Sequence, residues 1–384
     1  MMNKYFFYLI IFFSFFGPKR GAYLDLINFI SIFVILLGFR HLYFKEFERI
    51  FIFLCLILML HFQIIILLNG STYDVWHFFQ IPRLIINTFA AIVLVRYSIE
   101  NNIDLLRVIS GCITFHALFV ILGSAIPEIK FITYDITGMV DKSPIRFAGL
   151  TNSYAIPSIM HFIGIAIILL SEQTKNSSLY NALMIVILLV SQVFLARIGL
   201  VFSMSFLALY FLVKMRFAQR AYSIIIGIIF IYMLNYEILF PEEIVQAFKY
   251  SSEIFLLLGQ ADQIGSLQTI QDFSFHNQTF FEIIFGTGHY GRGNDFFHLY
   301  TDISWAHYFS LAGVLGILLI VAIYTVPFLY MRSSIILNFV IASTILISNY
   351  KEAFIFVRGL SMIWLLILIY SIYKSPNRFN YQND

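Results

Sequence analysis

What this sequence has least of is charge. Aspartate, glutamate, lysine and arginine together make up 12% of the chain, roughly half the share of a soluble domain. Hydrophobic residues make up 60% and the mean hydropathy is +0.86. No water-filled surroundings accommodate that excess, so a soluble globular protein is excluded. Cysteine is nearly missing as well. Cys55 and Cys112 lie in separate apolar stretches with no partner nearby in sequence, which excludes a disulfide framework and a cysteine metal site. The net charge is only +3. Its lysines and arginines sit singly or in short clusters at the ends of apolar runs, which excludes a nucleic-acid partner and reads as a topology signal. Internal repeats and low-complexity tracts are also missing, leaving one membrane domain over residues 1–384.

What is present is a succession of apolar runs. Crossing about 30 Å of hydrocarbon takes about 17–25 apolar residues in a helix. Runs of that kind, some shorter, fall at 5–16, 21–39, 50–68, 84–97, 105–126, 154–170, 179–196, 198–213, 222–240, 303–330, 335–349 and 354–373. The expected fold is therefore an all-α polytopic membrane protein of about 12 transmembrane helices. The first run follows Lys4 and ends in Gly-Pro-Lys-Arg, with no small-residue cleavage site, so it reads as a retained helix. Residues 179–213 are almost continuously apolar, interrupted around Arg197-Ile198-Gly199, where a tight hairpin or a break between spans is expected.

Orientation follows from basic residues in the short loops. With the N-terminus inside, thirteen lysines and arginines fall on the cytoplasmic side and eleven on the other, five of the latter spread over two longer loops. This makes residues 127–153 a smaller extracytoplasmic loop and residues 241–302 a large one. A connection of that length is usually functional or disordered. Helix-compatible pieces at Glu242–Leu258 and Phe280–Phe285 point to a folded cap.

Four arginines stand out because charge at membrane depth is costly. Arg197 lies between two runs, Arg358 four or five residues into the last, Arg83 at the head of the fourth, and Arg146 just ahead of the sixth. Any one of them can snorkel to the headgroup layer. All four on the outer face, where positive charge is normally depleted, indicate an anionic ligand. The guanidinium is always charged and its fork matches phosphate. Downstream of Arg146 stand Gly149, Asn152 and Pro157; Asn152 or Ser153 can cap the following helix, whose first amides attract anions.

A second constellation is Gly286-Thr-Gly288-His-Tyr-Gly-Arg292-Gly, followed by His298 and Asp302. The glycines allow positive φ and close backbone approach to a ligand. No Lys-Ser/Thr follows, so it is not a nucleotide loop. His298 and Asp302 are four residues apart and share a face if helical, as suits a base and its orienter. With no third ligand apparent, a catalytic metal is not expected. Asp302 alone also suits the start of a helix.

These motifs, in this order, resemble those of the Wzy-type O-antigen and capsular polysaccharide polymerases, in the superfamily that also holds the O-antigen ligases. The resemblance rests on the span count, the two outer loops, Arg146-Phe-Ala-Gly149 with Asn152 and Pro157, Ala196-Arg197-Ile198-Gly199, and Gly286-Thr-Gly288 with Asp302, Gly313 and Gly316. The family's Pro-Asn pair is missing. The ligases' His-Asn element is displaced, since His276-Asn277 precedes the glycine block and Leu299 follows His298.

The resemblance implies a GT-C-like glycosyltransferase of the bacterial cytoplasmic membrane with its active site facing outward. It would transfer a growing chain from undecaprenyl diphosphate to a new lipid-linked repeat unit, without a cofactor. Arg146 and Arg197 would contact the diphosphate, with Arg83, Arg292 and Arg358 assisting. Asp302 or His298 would act on the acceptor hydroxyl, and Gly149, Asn152, Gly286 and Gly288 would bind substrate. Implied partners are the lipid-linked oligosaccharides, the bilayer, and a chain-length regulator and flippase of the same pathway. Alternatives are an O-antigen ligase and a lipid-linked oligosaccharide flippase or transporter. A transporter predicts inverted repeats and broken helices, neither of which is apparent in the sequence.

Overall fold

The computed structural model describes residues 3–20, 24–68, 80–139, 146–151, 153–171, 178–214, 279–288, 304–331, 334–349 and 354–374. In chain order the helices are α1 (Lys4–Phe15), α2 (Leu26–Leu37), α3 (Glu46–Leu68), α4 (Gln80–Glu100), α5 (Leu105–Ala125), α6 (Pro127–Thr137) and α7 (Ala155–Leu170). They continue with α8 (Ser178–Val193), α9 (Arg197–Lys214), α10 (Phe280–Phe285), α11 (Ser304–Thr325), α12 (Ile335–Ser348) and α13 (Arg358–Lys374). Among the described residues the only strands are Lys19–Arg20 and Leu24–Asp25, which form one short antiparallel bridge. Among the described residues, four helical stretches are long and apolar enough to cross a membrane: Glu46–Leu68, Gln80–Glu100, Leu105–Ala125 and Ser304–Tyr330. This is the composition of an all-α membrane protein. The expected run 222–240 and most of the loop 241–302 lie outside the described residues; the short helix expected at Phe280–Phe285 is present.

The chain forms two compact units, one of Met1–Phe15, Leu26–Val108 and Gly265–Asp384, the other of Phe16–Asp25 and Ile109–Ile264. In the first, α4 and α13 run side by side in the same direction. Asn87 Nδ2 donates to Ser361 Oγ (3.2 Å) near their starts, and Arg96 bonds the Tyr373 hydroxyl near their ends. Contacts then define two ends. Phe7 packs on Tyr97, Gly38 on Val93, and Phe47 on Tyr330 at one of them. Tyr308 meets Gln80 and Phe356 at the other. The starts of α1 and α3 and the ends of α2, α4 and α13 thus share the Glu48 end, as consecutive antiparallel helices require.

That end is tied by a charged cluster. Glu48 is 0% exposed and Arg96 3%, and their ion pair measures 3.1 Å. Arg96 also bonds the His41 carbonyl and lies over the Tyr43 ring, while Tyr373 donates to Glu48 at 2.7 Å. A charge so buried is tolerated only when paired and hydrogen-bonded. Arg96, at the cytoplasmic-side end of the expected run 84–97, lies inside α4, which runs on to Glu100. Between the two ends, Trp364 of α13 stacks on Tyr324 of α11 with ring centroids 4.3 Å apart.

Arg358 also moves relative to expectation. Residues 354–357 are not helical; they form a strap in which Phe354, Ile355 and Phe356 are buried. Phe354 N donates to Asn349 Oδ1, and Ile355 O accepts from the hydroxyl of Tyr324 in α11. Arg358 is the first residue of α13, not four or five residues into a span. Non-helical backbone at depth needs such partners.

Candidate functional site

In the second unit the two arginine-glycine steps are held against each other. Phe147 N donates to Phe194 O (3.0 Å), and Ala196 N donates to Tyr154 O (3.2 Å). The segment after Arg146 therefore lies along the break between α8 and α9, where a hairpin or break was expected. Beneath it, Phe147 packs with Val120, Tyr134, Tyr154, Val193, Phe194 and Leu195. The Phe147 ring lies where a Gly123 Cβ would stand, 2.0 Å from that position, so glycine there admits the ring. Tyr134 of α6 donates its hydroxyl to Arg146 O at 2.6 Å, and the Arg146 guanidinium lies 5.5 Å from the Tyr154 ring centroid. On α6, burial holds the Lys130 ammonium below the usual lysine range.

Arg197 opens α9, and its position has a specific cause. The residue ahead of it is Ala196, which has no side-chain acceptor for the free amides of a helix start. Ser158 of α7 supplies one. Its hydroxyl accepts from Gly199 N (3.0 Å) and donates to Ala196 O (2.6 Å). A Cβ at Gly199 would stand 2.2 Å from Ser158 O and Oγ, so only glycine lets α7 and α9 approach this closely. The glycine two residues after the arginine is therefore the contact that fixes where the arginine stands. Ser158 was missed in the sequence because a serine in an apolar helix resembles many others.

At the other step, Gly149 has φ +62°, a left-handed value that side chains disfavour. A Cβ there would stand 2.4 Å from His116 Nε2. The cap position of α7 is Tyr154, which makes no side-chain cap bond; Ser153, one residue earlier, accepts from Ala155 N at 3.2 Å. Asn152 lies outside the described residues.

In the first unit the glycine block is also assembled. Helix α11 is broken at Gly313 (φ +62°, ψ −166°). Helical bonding cannot pass through such a residue, so the carbonyls of Ser310, Leu311 and Ala312 need donors other than the amides four residues on. Each finds one. Thr287 N donates to Ser310 O (2.7 Å), Gly288 N donates to Leu311 O (3.1 Å), and His61 Nε2 reaches Ala312 O (2.9 Å). Gly286 and Gly313 touch backbone to backbone. A Cβ on Gly286 would stand 2.5 Å from Ala312 N, and one on Gly313 would stand 2.4 Å from Ile284 O. No broken helix was apparent in the amino-acid pattern, and the break at Gly313 corrects that reading. The Gly-x-Gly element and Gly313 form one structural unit, in which Gly286 and Gly288 do structural work.

Arg83 lies in the first turn of α4, half-buried, three residues after the Gln80 that accepts from Tyr308. Arg292, His298 and Asp302 lie outside the described residues, and no group of three metal-ligating side chains occurs among those described. Comparison with family models, with curated proteins and with solved structures finds no match.

Proposed function

We propose that the protein is a glycosyltransferase of the bacterial cytoplasmic membrane. In this reading it polymerises undecaprenyl-diphosphate-linked oligosaccharide repeats into O-antigen or capsular polysaccharide at the outer face. The observation that carries the proposal is the joining of two arginine-glycine steps about fifty residues apart in sequence. Phe147 N bonds Phe194 O, Ala196 N bonds Tyr154 O, and Ser158 of α7 bonds Ala196 O and Gly199 N, so the segment from Phe147 to Ser158 lies along residues 194–199. Two permanently charged forks on adjoining backbone suit a lipid diphosphate.

The proposed topology has about 12 spans, with the loop 241–302 outside as a lid. Basic residues in the first unit support the orientation. Lys4, Arg40, Lys45, Arg49, Arg96, Arg107 and Lys374 belong to the Glu48 end, against Arg83 and Arg358 at the other. Positive charge gathers on the cytoplasmic side, which supports an outward-facing Arg83 end.

In the reaction the growing chain leaves its diphosphate carrier for a hydroxyl of the incoming lipid-linked repeat. Arg146 and Arg197 offset the charge that develops on the departing diphosphate. Asp302 or His298 takes the hydroxyl proton, and the lid excludes water. Arg83, Arg292 and Arg358 attract the anionic lipid to the site.

A second reading, a lipid-linked oligosaccharide flippase or transporter, draws on the broken helix α11, since transporters bind cargo at such breaks. Against it, the three carbonyls at the Gly313 break are all engaged by Thr287, Gly288 and His61, so they are not turned toward a cargo ion. The glycan ladder of a deletion strain separates the readings. A collapse to one repeat on the lipid A core supports the polymerase. Lipid-linked polymer with an undecorated core indicates a ligase, and repeats trapped inside the cell indicate a flippase.

A further inference from the structure

Behind the Arg146 loop runs a hydrogen-bonded wire that no part of the proposed reaction uses. His116 of α5, His161 of α7 and Ser191 of α8 are all 0% exposed. Leu150 N lies 3.3 Å from His116 Nε2, His116 Nδ1 lies 3.0 Å from His161 Nε2, and His161 Nδ1 lies 2.8 Å from Ser191 Oγ. Ser191 Oγ then reaches Leu188 O at 2.8 Å.

The two ends fix the direction of every bond. A backbone amide can only donate and a carbonyl can only accept. Leu150 N therefore donates to His116 Nε2, which leaves the His116 proton on Nδ1 to be donated to His161 Nε2. His161 in turn carries its proton on Nδ1 and donates it to Ser191, whose own proton goes to Leu188 O. Each imidazole is neutral and in a single tautomer, and each donor has one acceptor. The His116 ring is clamped from the side by Phe16, stacked at 3.9 Å with planes 7° apart. On its other approach Gly149 comes so near that a Cβ would stand 2.4 Å from Nε2.

We infer that His116 and His161 are positioning residues: together with Ser191 they latch the Arg146–Leu150 loop to the bundle, setting where Arg146 stands. The consequence for catalysis rests on the polymerase reading; the latch itself does not. His116 is the acceptor for the loop, His161 holds the tautomer that keeps His116 Nε2 an acceptor, and Ser191 anchors His161. Gly149 belongs to the same device, because its left-handed backbone presents the Leu150 amide to the ring.

Hydrogen exchange followed by mass spectrometry on the full chain in detergent micelles tests this. His116→Ala is expected to raise exchange in the peptide containing Leu150 about tenfold, leaving peptides of α13 unchanged. His116→Gln retains an acceptor near the position of Nε2 and is expected to exchange within about twofold of wild type. Ser191→Ala, which removes no ring, tests the wire from its far end and stays informative if His116→Ala does not fold. Its expected rise in the same peptide is about threefold. Wild-type exchange in His116→Ala or in Ser191→Ala would overturn the latch, as would His116→Gln exchanging as fast as His116→Ala. In a polymer-producing strain His116→Ala shortens chains and His116→Gln restores them; full-length chains with a loosened loop would overturn the positioning role. A wild-type protein that makes no polymer sinks the polymerase reading alone, since exchange still decides the latch.

Discussion

Gly313→Ala is the substitution for which the structure gives the most definite magnitude. Gly313 has φ +62° and ψ −166°, a combination that is essentially restricted to glycine and costs a side chain about 1–3 kcal/mol. The added Cβ would also stand 2.4 Å from Ile284 O and 2.5 Å from Gly286 N. Both are backbone atoms that cannot swing away, so the segment at Gly286 must retreat from α11. That retreat loosens the bonds from Thr287 and Gly288 to Ser310 and Leu311, each worth about 1 kcal/mol. The sum is about 3–5 kcal/mol. Thermal unfolding in detergent should register a drop of roughly 6–10 °C, taking about 2 °C per kcal/mol for a large chain.

Gly111→Ala is the control. A Cβ there meets nothing within 4 Å, so the helix gains about 0.5–1 kcal/mol and the midpoint does not fall. Gly286→Ala meets Ala312 N at 2.5 Å with φ +88°. Because either substitution opens the same contact, the double variant should lose less than the sum of the two singles. A Gly313→Ala protein melting within about 1 °C of wild type would refute the account of the break.

Other outcomes follow from the same geometry. Glu48→Gln leaves the Arg96 charge buried without its counter-ion and should cost about 3 kcal/mol in thermal unfolding. The paired Glu48→Met/Arg96→Met protein should lose less than either single, and the reverse order would contradict the pairing. Ser158→Ala strips the α9 start of its acceptor and should cost about 1–3 kcal/mol; an unchanged midpoint would mean the bridge is dispensable. Arg146→Ala and Arg197→Ala should insert normally while slowing chain elongation by about a hundredfold or more, leaving mostly single repeats. Long chains from both variants would remove them from the site.

The helical pattern was legible because apolar runs and their polar interruptions are local features. The break between α8 and α9 was expected around Arg197-Ile198-Gly199 and falls just ahead of them, at residues 194–196, and Phe280–Phe285 showed as a short helix-compatible run. What distance along the chain conceals was not legible. Arg96 looked like a topology charge at the end of an apolar run because its counter-ion Glu48 lies 48 residues earlier. His116, His161 and Ser191 sit in three different apolar helices, and nothing local marks them as partners. The glycines around Gly286 and Gly313 were visible as a motif, but their meaning was not. Flexibility near a ligand was expected, whereas the structure uses them to bring two backbones into contact. Arg358 was misplaced because the apolar strap at residues 354–357 has the composition of a helix, and its bond to Tyr324, 31 residues away, could not be read from the sequence.

The central claim is that a chain is passed from one lipid diphosphate to another lipid-linked repeat. Its most direct measurement uses the protein reconstituted in vesicles with purified undecaprenyl-diphosphate-linked repeat units and no nucleotide sugar. A ladder of lipid-linked polymer is expected, with one undecaprenyl diphosphate released for every new linkage. Repeat units that remain single, or that cross the bilayer without being joined, would contradict it.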